Sequence, residues 1–211
     1  MIAAKGADIA EFELLATADD VLQHMQMVHA LFNRIDSLDV PTIVGIDGIA
    51  VGGGLEIALT FDRIITTASP KTKLGFPEVN LGILPGYGGS GRAYRRIGTA
   101  AVTQMMMSGR PLTASAAKAA GLIDQTVDDA AALQPAMTSW LTAQNRAKPH
   151  RQQRETAADQ KALDDASAQF LTRLRADHTP APFAIIEHVR RYGHDAAAMS
   201  AGEMNIFPEL M

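Results

Sequence analysis

The sequence predicts an α/β layered domain followed by a helical region, and three observations carry that expectation. Short apolar runs alternate with stretches of helical periodicity between Pro41 and Val127, and strands alternating with helices build layered α/β domains. Glycine and proline punctuate the boundaries, at Gly48, Gly52-Gly53-Gly54, Pro77 and Gly121. Beyond about Ala130 the chain turns rich in Ala, Gln, Arg and Asp, with no strand pattern. The expected division is a core over residues 1–130 and a helical, oligomer-forming region over 131–211.

The elements follow in order. Met1 to Phe12 reads as the end of a strand running into a glycine turn at Gly6. Asp19-Asp20 offers N-caps for a helix. Val21, Met25, Val28, Phe32, Ile35 and Leu38 then recur at helical spacing, which gives about five amphipathic turns, and Pro41 stops them. Thr42 to Ile46 is a short buried strand, Asp47-Gly48 a turn, and Ile49-Ala50-Val51 a second strand. The triple glycine leads into a short helix over Leu55 to Thr60. Arg63 to Thr67 is the next strand, and a loop over Ser69 to Lys73 separates it from Leu74-Gly75-Phe76-Pro77-Glu78. Leu81 to Gly91 reads as a glycine-rich loop entering a helix at Arg92. Thr99 to Met107 and Ala114 to Ala120 are helical, the second ended by Gly121 at a natural C′ position. Leu122 to Val127 is a last strand. Helix is expected from Ala130 onward, broken by a polar, basic bend over Gln144 to Arg154.

Composition narrows the function. The 211 residues are 47% hydrophobic and 20% charged with a net charge of −4, which gives no global pull toward nucleic acid or an anionic membrane. With no cysteine, disulfides, thiolate catalysis and cysteine-based metal sites are excluded. The six histidines show no metal-ligand spacing, so no metal is expected; His24 and His29 read as packing or surface residues. No apolar run approaches the roughly 18–20 residues that span a bilayer. The N-terminus meets Lys5 and Asp8 too early for a signal peptide, and a cytoplasmic location is the expectation.

Three stretches point to chemistry: Lys5-Gly6-Ala7-Asp8-Ile9, Val51-Gly52-Gly53-Gly54-Leu55-Glu56, and Phe76-Pro77-Glu78-Val79-Asn80-Leu81-Gly82. The triple glycine lets the backbone approach a ligand closely at a helix start, where free N–H groups favour negative charge. A glutamate one turn into that helix would lie beside whatever is bound. A second glutamate, held after a strand by Pro77, could face it. Gly86-Tyr87-Gly88-Gly89-Ser90-Gly91 also fits the G-x-G-x-x-G pattern of dinucleotide sites, a weak signal by itself. It follows Pro85 rather than a strand, and no Asp or Glu lies between Val79 and Ile123 to take a ribose hydroxyl. No nicotinamide cofactor is expected. That acid-free stretch holds Arg92, Arg95, Arg96, Arg110 and Lys118, readable as a solvated or subunit-facing helix or as a contact for phosphates. Met105-Met106-Met107 reads as core or oligomer contact ahead of an acyl-chain channel.

Taken in order, Pro41 to Gly48 and Val51 to Leu59 resemble the signature segment of the crotonase (enoyl-CoA hydratase/isomerase) family. Gly75 to Glu78 and Gly82 to Gly89 resemble its next segment, and Gly109 to Leu112 with Ala119 to Asp124 the one after. The resemblance covers Ile2 to Val127. It implies a crotonase-type spiral of β-β-α units with a helical C-terminal region. It also implies Glu56 and Glu78 as the catalytic carboxylates and the N–H groups of Ala7 and Gly53 as an oxyanion hole for a thioester carbonyl. Ala7, Asp8, Ile9, Gly52, Gly53, Gly54, Pro85 and Gly86 are the implied substrate-binding positions. The implied reaction is reversible hydration of a 2-trans-enoyl-CoA to a 3-hydroxyacyl-CoA, with Δ3–Δ2 isomerisation as a second activity. Coenzyme A would be part of the substrate, so no separate cofactor is expected.

Two stretches of the tail, Ala181 to Glu187 and Glu203 to Phe207, resemble the end of the hydratase part of multifunctional fatty-acid oxidation enzymes, in which a 3-hydroxyacyl-CoA dehydrogenase domain follows. Relatives imply a homotrimer or hexamer. In the family, early strands, a helix and part of the coenzyme A site precede the Gly-Ala-Asp-Ile turn, and here only six residues precede Ala7. The expectation is a displaced Met1 to Ile9 segment and weak turnover by the chain alone. Two other readings stand beside this one. The fold hosts several acyl-CoA reactions and does not by itself choose among them. A folded oligomeric remnant that has lost coenzyme A binding is the alternative from another class, and acyl-CoA binding separates it from an enzyme.

Overall fold

The computed structural model describes residues 17–143, 160–171 and 179–211. The expected strand over Met1 to Phe12, the turn carrying Ala7, Asp8 and Ile9, and the bend over Gln144 to Arg154 lie outside the described residues.

Helix α1 spans Ala18–Asp36. Its cap is Thr17 rather than the two aspartates: the Thr17 hydroxyl accepts from Asp20 N–H, and the Asp20 carboxylate accepts from Thr17 N–H. Such a reciprocal capping box satisfies two donors at once, and Asp20 is the third-position half of it. Val21, Met25 and Phe32 bury the predicted face, and His29 joins them. Leu38 lies past the helix end and is exposed, because the last turn closes at Ser37, whose N–H bonds Asn33 and Ile35 carbonyls.

From there the chain winds. Strand β1 (Ile43–Ile46), strand β2 (Ile49–Val51) and helix α2 (Gly53–Ala58) form one turn. Strand β3 (Arg63–Thr67), strand β4 (Lys73–Gly75), a 3₁₀ turn (Glu78–Leu81) and helix α3 (Gly89–Ser108) form the next. Strand β5 (Leu112–Thr113), helix α4 (Ala114–Ala120) and strand β6 (Gln125–Val127) complete it. Strands β1, β3 and β6 add to one sheet and β2, β4 and β5 to another. The result is a parallel sheet ordered β1-β3-β6 and a second sheet ordered β2-β4-β5, in which β5 runs antiparallel to β4. This is the spiral of β-β-α units that the sequence implies.

Several boundaries differ from expectation. Helix α2 runs from Gly53 to Ala58 rather than from Leu55 to Thr60. Helix α3 starts at Gly89 rather than Arg92, because the turn before it is held by side chains from elsewhere in the fold. The expected break before Thr99 is present as a non-helical Gly98 at φ 78° inside the run. The last strand is limited to Gln125–Val127, since Leu122 and Ile123 bond back to Ala117 to close α4.

After a 3₁₀ turn over Ala130–Ala132, helix α5 (Leu133–Ala143) packs on β1 and β3. Helices α6 (Gln160–Leu171), α7 (Pro180–Tyr192) and α8 (Ala196–Leu210) pack on α3 and on one another. One apolar cluster joins α1, the sheets, α3 and the C-terminal helices, from Met25 and Leu55 through Phe76 and Tyr94 to Ile185, Met199 and Phe207. Met105, Met106 and Met107 are all buried in it. The core reading of that run therefore holds.

Candidate active site

The site begins at Gly52. Its backbone sits at φ 56°, ψ −134°, a region that side chains rarely adopt, and its N–H bonds Gly75 O at 3.0 Å. That bond fixes the start of α2 against β4. Leu55 and Glu56 N–H bond Gly52 O. Gly53 opens the helix, where N–H groups have no carbonyl within the helix to bond. One turn on, the Glu56 side chain is buried, only 1% exposed. Its Oε1 accepts from Tyr87 N–H at 2.8 Å and from Gly89 N–H at 2.9 Å.

Glu78 opens the 3₁₀ turn that follows β4 and Pro77. Gly82, at φ 82°, closes that turn. The Glu78 carboxyl is buried, and its Oε2 has no hydrogen-bond partner among the described residues. A buried polar atom left without a partner is costly, so this oxygen is where a polar group of a ligand would be accepted.

The two glutamates are close enough to feel each other's charge. Burial raises the Glu56 pKa from its ordinary value to about 7, against the opposing pull of the Tyr87 and Gly89 N–H groups and the Arg92 charge. Burial, and then the charge of Glu56, raises Glu78 to about 8. The backbone donors make Glu56 the carboxyl that ionises first. Both carboxyls thus ionise only above the ordinary carboxylate range, Glu56 with backbone donors to hold its charge and Glu78 with that charge set against it, so the pocket can hold a base and an acid together.

The Gly86–Ser90 turn that holds Glu56 is itself gripped from behind. His29 Nε2 donates to Gly86 O at 3.0 Å. Glu203, on α8 and fully buried, accepts from Gly88 N–H through Oε2 and from Ser90 N–H at 2.8 Å through Oε1. The Ser90 hydroxyl also donates to Glu203 and lies 3.0 Å from His188 Nε2. Burial lowers the His188 pKa to about 4, so the ring is neutral. Its Nε2–H then donates to Ser90 Oγ, whose own proton goes to Glu203. Burial, then the charge of Glu56, raises the Glu203 pKa well above its ordinary value. The sequence reading placed Glu203 in a tail motif and gave it no role. Its only outward sign is an acid among Met199, Met204 and Phe207.

The glycines of the G-x-G-x-x-G pattern serve this turn. A Cβ at Gly86 would meet the Phe207 ring at 2.9 Å, and one at Gly89 would meet Glu56 Cγ at 2.5 Å. Gly88 sits at φ 86° over the Arg92 guanidinium. A Cβ at Gly91 would meet Ala196 O at 2.1 Å, where α3 and α8 touch. Packing thus accounts for the pattern's three glycines, Gly86, Gly88 and Gly91, and for Gly89 between them, without a nucleotide.

The basic residues divide differently from either reading. Arg92 is buried and bonds Asp36, Asn33 and Tyr87 O. Arg96 is buried against Asp124 and Phe61 O, and Arg95 approaches Asp36. These three hold the fold together inside it, while Arg110 and Lys118 stand exposed. Of the implied site positions, the structure brings Gly52, Gly53, Gly54 and Glu56 together on one helix start. Glu78 lies near Glu56, and buried Pro85 and Gly86 lead into the turn that binds Glu56. Ala7, Asp8 and Ile9 lie outside the described residues.

Comparison with known proteins agrees with this fold. The sequence model of the enoyl-CoA hydratase/isomerase family matches residues 2–181. A fatty acid oxidation complex subunit alpha from Shewanella halifaxensis is 34% identical over 192 residues, covering 88% of this chain and 27% of that protein. The chain therefore spans about a quarter of the length of the curated relatives it matches. Among solved structures, an enoyl-CoA hydratase/carnithine racemase from Magnetospirillum magneticum superposes with a TM-score of 0.64 at 25% identity, covering 85% of this chain and 72% of that one. An enoyl-CoA hydratase/isomerase family protein from Hyphomonas neptunium gives 0.61 at 26% identity, covering 87% and 66%. With a spiral of β-β-α turns, a glutamate on the helix after the triple glycine and a second after Pro77, the chain belongs to the enoyl-CoA hydratase/isomerase family.

Proposed function

We propose that this site adds water reversibly to a 2-trans-enoyl-CoA, giving a 3-hydroxyacyl-CoA, as a step of fatty-acid β-oxidation. The observation that carries the proposal is the pair of buried carboxyls, of which one is held ionisable by two backbone N–H groups and the other has an oxygen free to meet a ligand. Ionised Glu56 takes a proton from water as the water oxygen bonds C3. The C2–C3 π electrons move toward the thioester, whose carbonyl oxygen gains negative charge. Backbone N–H groups preorganised in a buried site stabilise that charge, and Gly53, with Ala7, is proposed to supply them. Glu78 delivers its proton to C2. Water is added across the double bond, and the pair ends with its proton moved from Glu78 to Glu56, to be reset by exchange.

Both glutamates support hydration over a reaction needing a single carboxyl, and the same pair can move a proton between C2 and C4 in Δ3–Δ2 isomerisation. The proposal extends to a homotrimer or hexamer in the cytoplasm and, from the resemblance of the tail, to a 3-hydroxyacyl-CoA dehydrogenase domain within the same protein. The test is loss of the conjugated crotonyl-CoA absorbance, measured in the protein as encoded and in its Glu56→Gln variant. Turnover by the first and its loss in the second are expected; equal rates would overturn the assignment.

A further inference from the structure

Glu203 sits on α8, far along the chain from both catalytic candidates, yet it binds the same turn as Glu56. The N–H groups of four successive residues alternate between the two carboxyls: Tyr87 and Gly89 point to Glu56, Gly88 and Ser90 to Glu203. The turn is thus stretched between two buried acids, and neither pair of bonds can shift without moving the other.

The back side of the turn is tied at further points. Ser200 Oγ donates to Gly88 O at 3.0 Å, and Phe207 closes on Gly86. The Ser90 hydroxyl and His188 Nε2 complete a chain of donors that ends on Glu203. Ser90, His188 and Glu203 all lie at 0% exposure, and Glu203 spends both carboxylate oxygens on the turn. A buried carboxyl bonded on both oxygens to the amides of Gly88 and Ser90 sets where the alternating Tyr87 and Gly89 donors lie, and so where Glu56 stands.

We propose that Glu203 is a positioning residue for Glu56, through which the C-terminal helix completes the active site from behind. The inference rests on the hydratase reading for its kinetic consequence, but its structural content is independent of the reaction. A carboxamide at 203 has one acceptor oxygen and one donor nitrogen, so it must turn a donor toward either Gly88 or Ser90 N–H. The turn would then loosen on its far side and release Glu56.

The experiment is Glu203→Gln in the protein as encoded, read by hydrogen exchange of the amides of residues 86–90 and by the infrared carboxyl band of Glu56, identified by its loss in Glu56→Gln. Exchange of Tyr87 and Gly89 amides is expected to accelerate roughly tenfold or more, and the Glu56 titration to move. On enoyl-CoA, kcat should fall about 10²-fold with KM little changed, the pattern of a displaced catalytic group. If Glu203→Gln does not fold, Ser200→Ala and Ser90→Ala carry the same exchange measurement with single hydroxyls removed. Amides at 87 and 89 that stay as protected as in the parent, with an unmoved Glu56 band, overturn the proposal. A parent protein that hydrates no enoyl-CoA sinks the hydratase reading, while the exchange result still decides the positioning role.

Discussion

In the proposed reaction Glu56 and Glu78 divide the work through an imbalance that neither would have alone. Each is pushed up by burial, but the Tyr87 and Gly89 N–H groups steady the charge of Glu56, while the charge of Glu56 raises Glu78 further. Replacing either by glutamine removes the proton transfer while keeping the shape. Hydration is therefore expected to fall by about 10²–10⁴-fold in each variant, with a native circular-dichroism spectrum; turnover within a few-fold of the parent in either would count against the pair. The pH dependence follows from the same values. The active form holds one proton on the pair, so kcat/KM should follow a narrow bell with limbs near 7 and 8, belonging to the pair rather than to either residue. A profile flat from pH 6 to 9 would show that the two do not exchange roles as acid and base.

At the scale of elements, the site depends on how closely α2, the Gly86–Ser90 turn and α8 approach one another. Gly89→Ala would put a methyl group 2.5 Å from Glu56 Cγ and 2.9 Å from the Phe76 ring. Overpacking of this kind costs about 1–3 kcal/mol, and here it also displaces Glu56. Gly98→Ala meets no atom within 4 Å and only the strain of φ 78°, about 1–2 kcal/mol. The first variant should lose nearly all activity and the second keep it at a lower melting temperature; matched activities would show that the close approach is dispensable. Such approaches explain what sequence could and could not show. Helix α1 was legible because its apolar spacing answers to one buried face, and β1 and β3 because continuous short apolar runs mark strands buried on both faces. Glu56 and Glu78 were legible because motifs in fixed order resemble a family. The start of α3 at Gly89 was not, because glycine has poor intrinsic helix propensity and the turn is stabilised by Glu203, 115 residues from Gly88. Nor was the role of Arg92 and Arg96, since a cation's partner across the fold leaves no local trace in the chain.

At the scale of the molecule, two sets of buried titratable groups set the stability in opposite directions. Glu56, Glu78 and Glu203 all have raised pKa values, so the folded state binds more protons than the unfolded one between about 4.5 and about 8. Stability from this source is full below the lower limit and is lost as pH rises through the folded values. His29 and His188 have lowered values because they are buried neutral. Their contribution runs the other way and is lost as pH falls below about 6.5. Below that point the two effects oppose each other, and above it the carboxyls act alone. The free energy of unfolding should therefore decline between pH 6.5 and pH 8. Urea denaturation of the parent and of Glu78→Gln at both pH values measures this. The decline should shrink in the variant, because a glutamine has no proton to lose as pH rises. A parent whose stability is level or rises over that interval would mean that the carboxyls ionise near their ordinary values, and the acid–base division of the site would fall with it.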